Sequence, residues 1–226
     1  MSTVAPQTAE AMAAHWNDRA WRFNRHPSHL READEWTAVF AASLGGQARD
    51  VIDLGSGTGA CALLCAELGH RVTALDGSSA MLSLARENAT DRGLETVSFV
   101  NKTMDEADLP SRSADIVTMR NVLWTLEKPA AAVQLAWRLL RPGGSLLISD
   151  GIWFAHRTND SAETFGGHLP YFNGVPEPDA LRLLEVTGFS DINSWSHLFS
   201  SHPYGAVYDD PNRFIDFFVL TARKTG

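Results

Sequence analysis

The sequence predicts an α/β fold, a doubly wound and mostly parallel sheet with helices on both faces. Two observations carry this. From Asp50 to Asp150, short apolar runs of strand length alternate with longer amphipathic ones. A glycine-rich break, Gly55-Ser56-Gly57-Thr58-Gly59, joins the first apolar run to the first helix-like run. The 226 residues fit one domain. A chain of this size buries roughly 70% of its unfolded surface, enough for a full core.

Residues 1–48 read as a helical N-terminal cap. AEAMAAHWNDRAWRF is a good helix former, NRHPSH a loop, and LREADEWTAVFAASLGG a second helix stopped by Gly45 and Gly46. Residues 49–226 form the main domain. Its strands are DVIDLG, RVTALD, VSFVN, ADIVTMR and GSLLISD, with helices beginning near Ala60, Ser78 and Lys128. The last of these helices carries Val133, Ala136, Trp137 and Leu140 on one face and ends in Pro-Gly-Gly. After Asp150 the alternation stops. Residues 151–176 are polar, aromatic and broken by glycine and proline, which predicts a lid inserted into the domain. Helix and strand resume with DALRLLEVTGF, SDINSWSHL and RFIDFFVLTARK.

The net charge of −8 argues against general nucleic-acid binding, which needs a basic face. The N-terminus lacks the basic and apolar regions of a signal peptide, and no window has the apolar length of a membrane span. A cytoplasmic protein is expected, a monomer or homodimer, with a small molecule rather than nucleic acid or a membrane as its partner. Cys61 and Cys65 share an apolar helical stripe with Leu64 and Leu68, so both read as buried thiols. No histidine or cysteine spacing argues for a metal.

Glycine permits a tight turn and a close ligand approach, and the helix amides beyond it suit a polar or anionic group. Asp76 ends the second strand 21 positions after Gly55, where a carboxylate can accept hydrogen bonds from both hydroxyls of a ribose. The two features together point to a cofactor with an adenosine end. Gly55-x-Gly57-x-x-Ala60 also fits a dinucleotide fingerprint. Asp53 favours a different cofactor, because it puts a carboxylate inside the first strand, where dinucleotide sites usually keep apolar residues.

The run VIDLGSGTG closely resembles motif I of class I S-adenosylmethionine-dependent methyltransferases, and LLRPGGSLLISD resembles the segment at strand 5 of that family. RNVLWTLEKPAAAV is similar to the segment after strand 4 in the small-molecule branch near the ubiquinone and menaquinone methyltransferases. The resemblance runs from about Arg49 to Asp150 and extends weakly to the C-terminal run. It implies a Rossmann-like sheet with an antiparallel C-terminal strand, and S-adenosyl-L-methionine as cofactor. In that case Gly55, Ser56 and Gly57 line the methionine and ribose portion, Asp76 and Gly77 hold the ribose, and Met81 lies near the adenine. Lys102-Thr103-Met104 stands where the family usually reads Gly-Asp-Ala, so the adenine contact falls to Thr103 and Met104 or passes to Asp105. Arg120 and Asn121 are expected beside the methionine tail, and Arg19 can pair with the cofactor carboxylate.

Methyl transfer from a sulfonium is an in-line displacement that needs a nucleophile about 3 Å away and water kept out. A hydroxyl acceptor also needs a base. His168, in the lid, is the candidate. Trp16, Trp124, Trp153, Tyr171 and Phe172 are candidates for the acceptor pocket, with Phe23, Phe154 and His156 nearby. The reading is methyl transfer to an O or N atom, less readily C, of a small-molecule metabolite. A methyltransferase-like domain that binds ligand without turnover and an NAD(P)-dependent reductase stay open. Asp76→Ala is expected to weaken cofactor binding at least tenfold through lost charge-assisted hydrogen bonds, with little change in apo stability.

Overall fold

The computed structural model describes residues 8–24, 33–45, 47–154, 165, 167–200, 203 and 213–225. Two helices come first, α1 (Thr8–Asn24) and α2 (Ala33–Leu44). Then β1 (Asp50–Leu54), α3 (Ala60–Glu67), β2 (Arg71–Asp76), α4 (Ser79–Asp91), β3 (Val97–Asn101) and β4 (Ala114–Arg120) alternate. A 3-10 turn at Leu123–Thr125 leads to α5 (Pro129–Leu139) and β5 (Leu140–Phe154). The chain ends with α6 (Glu177–Thr187), β6 (Phe189–Ser194) and β7 (Arg213–Lys224). Past Asn24, the loop expected at 24–29 lies outside the described residues.

The seven strands form one sheet in the order β3-β2-β1-β4-β5-β7-β6. β1 to β5 are parallel, whereas β7 runs antiparallel to both β5 and β6. The strand order reverses between β1 and β4, and in such sheets ligands bind at the carboxyl ends of the strands beside that switch. The glycine loop, Asp76 and the 121–125 turn all sit on that edge because each follows one of these strands.

Strand alternation builds two cores. Ile52, Leu54, Val117, Met119, Leu146, Ile148, Phe218 and Leu220 face α5 and α6. Val51, Ile116, Leu147 and Val219 face α2 and α3, where Trp36, Val39, Phe40, Cys61 and Cys65 are buried. Both cysteines are free buried thiols, and burial pushes Cys61 up to about 12. At the opposite edge of the sheet, Arg141 pairs with Asp50 at 3.0 Å and with Asp115 at 2.8 Å, tying the start of β5 to β1 and β4. Lys224 closes α5 from the last strand. Its Nζ donates to the carbonyls of Trp137 (2.7 Å) and Leu140 (2.8 Å) at the helix end, where a cation is favoured.

The first four residues of the expected lid belong to the sheet instead. Residues 151–154 continue β5, with Gly151 opposite Phe217 and Ile152 opposite Asp216. Pairing with β7 supplies the ladder that the local sequence does not announce. Residues 173–175 then return along this extension. Trp153 and Phe154 donate to the Asn173 carbonyl, and Val175 donates to that of Gly151 at 2.7 Å. Residues 155–164, which include His156, lie outside the described residues.

His70 is fully buried where α3 gives way to β2, and its Nδ1 accepts the Arg49 amide at 3.3 Å. Burial, with Arg49 adding to it, lowers its pKa. The folded protein therefore takes up this proton later than the unfolded chain does. Stability from the neutral ring is complete above the ordinary histidine pKa of about 6.5 and is lost as pH falls from there toward the lowered folded value. We expect urea midpoints of the wild type to fall faster over that window than those of His70→Gln. Parallel curves for the two proteins show that the ring does not titrate on unfolding.

Candidate active site

β1 ends in a loop that only glycine allows. Gly55 and Gly57 have φ of +73° and +54°, and a Cβ on Gly55 would run into the Val122 side chain. The Gly55 and Ser56 amides both donate to the Leu75 carbonyl, at 2.8 and 3.0 Å, which folds the loop back over β2. Asp76, at the end of β2, then joins two segments. Its Oδ2 accepts the Gly57 amide and its Oδ1 the Ser78 amide, each at 2.8 Å. Burial raises the Asp76 pKa, and these two amides oppose that rise.

Asp53 is buried one layer below. It accepts the Thr118 hydroxyl at 2.6 Å and the Ala62 amide at 3.1 Å, so it links β1 to its register partner in β4 and to the first turn of α3. Burial pushes its carboxyl up to about 6. Arg120, at the end of β4, lies over the Trp36 ring with 4.1 Å to its centroid and reaches Cys61. Its neighbour Asn121 has φ of +54° and donates its amide to the Ser149 carbonyl at 2.8 Å.

These residues share a cavity of about 490 Å³, within the usual range for a small-molecule site. Its floor holds Asp53, Gly55, Ser56, Gly57, Asp76, Gly77, Met81, Arg120 and Asn121. Thr103, Met104 and Asp105 line the side beyond β3, and Arg19 stands on α1. The Thr103 hydroxyl donates to Glu106 at 2.8 Å, whereas Asp105 is exposed. Trp16, Phe23, Trp124, Trp153 and Phe154 form an aromatic wall, in which Trp16 meets Phe23 and Trp124 edge-on at 5.4 and 6.0 Å.

Three residues expected at the site are elsewhere. His168 lies exposed on the turn after Phe165 and is not part of the cavity lining. Phe165, Leu169 and Phe172 face inward from that segment, burying with Met12 beneath α1 and leaving His168 on the outer side. Phe172 thus backs the wall from behind, and Tyr171 packs against the core on the α5 side.

Two residues that the sequence reading passed over shape the site. Asp150, fully buried at the end of the expected β5, accepts the Leu123 amide, the Gly151 amide and the Trp153 indole N–H, each at 3.0 Å, together with the Trp124 amide. One carboxylate therefore sets both the turn that presents Trp124 and the ring of Trp153. Burial pushes it up to about 7 against all four donors. The signal was an acid ending a run of buried apolar residues. The second is Asn17 in α1, whose Oδ1 accepts from Ser78 and Ala80 at the start of α4.

A domain model described as a methyltransferase domain matches residues 52–148. Over that stretch the chain is similar to methyltransferase domains, in line with its resemblance to the class I S-adenosylmethionine-dependent methyltransferases. It is 30% identical over 142 residues to the tRNA 5-carboxymethoxyuridine methyltransferase of Escherichia coli K12, an alignment covering 59% of this chain and 54% of that one. The chain thus matches about half the length of that curated relative. It is 26% identical to the ubiquinone biosynthesis O-methyltransferase of Shewanella halifaxensis over 94% of this chain and 87% of the relative. Among solved structures, the [4+2]-cyclase SpnF superposes with a TM-score of 0.72 at 18% identity over 99% of both chains, a likeness of fold.

The cofactor of this family is S-adenosylmethionine, and the cavity fits it. Two lining residues, Ser56 and Asn121, each carry a buried side-chain oxygen without a hydrogen-bond partner among the described residues, as befits a wall that meets a polar ligand. Asp76 keeps acceptor capacity beyond its two amides. Those amides change the expectation for Asp76→Ala. The loss leaves the Gly57 and Ser78 amides unpaired in the apo protein, each at about 1–3 kcal/mol where buried. We expect a lower urea midpoint as well as weaker cofactor binding. An unchanged midpoint shows that water replaces the carboxylate.

Asp150→Ala strands the Trp153 indole and the Leu123 amide in the core. It is expected to cost on the order of 3 kcal/mol in urea unfolding followed by tryptophan fluorescence. A loss below about 0.5 kcal/mol, the scale of an ordinary surface substitution, rules out this role.

Proposed function

We propose that this methyltransferase transfers a methyl group to an O or N atom of a small-molecule metabolite, with transfer to carbon less favoured. The observation that carries this reading is the continuity of one cavity of about 490 Å³ from the glycine loop and Asp76 to the aromatic wall of Trp16, Trp124 and Trp153. Bound S-adenosylmethionine supplies an electrophilic methyl group on a sulfonium. The chain's residues do the rest. Asp76 accepts from the ribose hydroxyls, Asn121 and Ser56 offer oxygens to the amino-acid end, and Arg120 offers a cation to its carboxylate. The wall of indoles excludes water and presents π-faces suited to a sulfonium and to a flat acceptor.

Among the described residues, no histidine lines this cavity. Asp53 is committed to Thr118 and Ala62, and the other lining carboxylates besides Asp76, those of Asp105 and Glu127, are exposed to solvent. Both points support an acceptor that is already nucleophilic, an amine or an ionised hydroxyl, brought into line by proximity alone. His168→Ala is therefore expected to keep its turnover rate, in contrast to the roughly 10²–10⁴-fold fall that loss of a base produces. Residues 1–48 act in this reading as the cap over the cofactor, and residues 151–176 as one side of the acceptor pocket. The net charge of −8 favours a metabolite over tRNA.

Calorimetry with S-adenosylmethionine, S-adenosylhomocysteine and NADH tests the cofactor. Micromolar binding of the first two and none of the third is expected. Release of S-adenosylhomocysteine is then followed with a panel of phenols, amines and carboxylic acids and with bulk tRNA. Turnover on tRNA alone overturns the small-molecule reading. Binding without turnover on any acceptor favours a ligand-binding or cyclase-like role.

A further inference from the structure

Helix α1 is tied to the floor of the cavity by two separate chains of hydrogen bonds. In the first, the Asn17 Oδ1 accepts the Ser78 hydroxyl at 2.8 Å and the Ala80 amide at 3.1 Å. The Ser78 amide donates to Asp76, and the other oxygen of Asp76 accepts the Gly57 amide. In the second, the Asn88 Nδ2 donates both to the Asn24 Oδ1 at 2.9 Å and to the Thr58 carbonyl at 3.0 Å. Each chain runs from α1 through α4 to the glycine loop.

The first chain is the more buried of the two. Ser78 is fully buried and caps α4, its hydroxyl oxygen accepting the Met81 amide at 3.1 Å. The Ala80 amide is one of the helix-start donors that intrahelical bonding leaves unpaired, and Asn17 fills that need from another helix. The backbones approach closely at this point: a Cβ built on Gly77 would stand 3.5 Å from that of Ala13. Undocking α1 therefore strands the Ala80 amide and frees the residue that orients Asp76. Any ligand that fixes Asp76 stabilises the docked helix, and docking favours the ligand by the same factor.

We propose that Asn17 is a positioning residue that couples the docking of α1 to occupancy of Asp76, so that cofactor binding and closure of α1 form one equilibrium. The inference rests on the reading of the cavity as a cofactor site. The acceptor oxygen of Asn17 is the working atom, so aspartate at this position preserves the latch and alanine removes it.

Trypsin provides the test, because Arg19 and Arg22 on α1 are both exposed and cleavage requires local opening of the helix. Cleavage at these two sites is timed by mass spectrometry with and without saturating S-adenosylhomocysteine, whose affinity is measured in parallel by calorimetry. In the wild type the ligand is expected to slow cleavage about tenfold, within the usual range of a coupling between two sites. In Asn17→Ala the slowing is expected to fall below about twofold and affinity to drop several-fold, whereas Asn17→Asp restores both. A merely structural asparagine would raise cleavage with and without ligand equally. Undiminished ligand protection in Asn17→Ala, or failure of Asn17→Asp to restore it, overturns the latch. A wild type that binds no S-adenosylhomocysteine overturns the cofactor reading and the latch with it.

Discussion

The Asp76 carboxylate closes the loop at the switch point of the sheet, and most of the site is built around it. One oxygen holds the Gly57 amide and the other the Ser78 amide, so the loop after β1 and the turn after β2 share a single anchor. The glycine loop has no side chains to hold it and takes its shape from backbone bonds to Leu75 and Asp76. The carboxylate that lines the cavity therefore also builds the loop around it. Whatever meets this residue meets the anchor of the loop as well.

Two further carboxylates, Asp53 and Asp150, are buried at the ends or middles of strands where apolar residues would pack at lower cost. Each is raised by burial, to about 6 and about 7. Asp150 accepts from amides and an indole, and Asp53 from a hydroxyl and an amide, with the Arg120 charge opposing part of the rise at Asp53. Such a cost persists where the acceptor fixes geometry that apolar contacts leave loose. Asp53 sets β1 against β4 and α3 beneath the loop, and Asp150 sets the turn at 123–125 against Trp153. Both carboxyls bind their protons more tightly folded than unfolded. Their effect on stability is thus most favourable below about pH 4 and weakens as pH rises through 6 and 7.

The sheet was legible because its inner parallel strands, β1, β2, β4 and β5, are largely buried on both faces and read as apolar runs, each followed by a turn signal or an acid. All five parallel strands and the helices between them stand where the residues placed them, and the residues from Asp53 to Asn121 expected around the cofactor line one cavity. The continuation of β5 through Phe154 was not legible, since its ladder partner in β7 lies some sixty residues later and leaves no local trace. His168 misled for a related reason. Its neighbours Phe165, Leu169 and Phe172 decide which way the turn faces, and only their packing against Met12 settles that. Asn17 was invisible as a side chain in the middle of a helix, because its partners are sixty residues away.

The aromatic wall of the cavity differs in kind from its floor. The floor comes from the ends of adjacent parallel strands, whose register fixes the positions of Asp53, Asp76 and Asn121 relative to one another. The aromatic wall comes from three unconnected segments, α1 with Trp16 and Phe23, the turn with Trp124, and the extended β5 with Trp153 and Phe154. Polar anchors hold each in place, Asn17 and the Asn24–Asn88 pair for the first and Asp150 for the other two. A cavity divided in this way lets one segment change its side chains without disturbing the frame beneath. The polar anchors carry the geometry across that division, from the strand ends to the aromatic residues they orient.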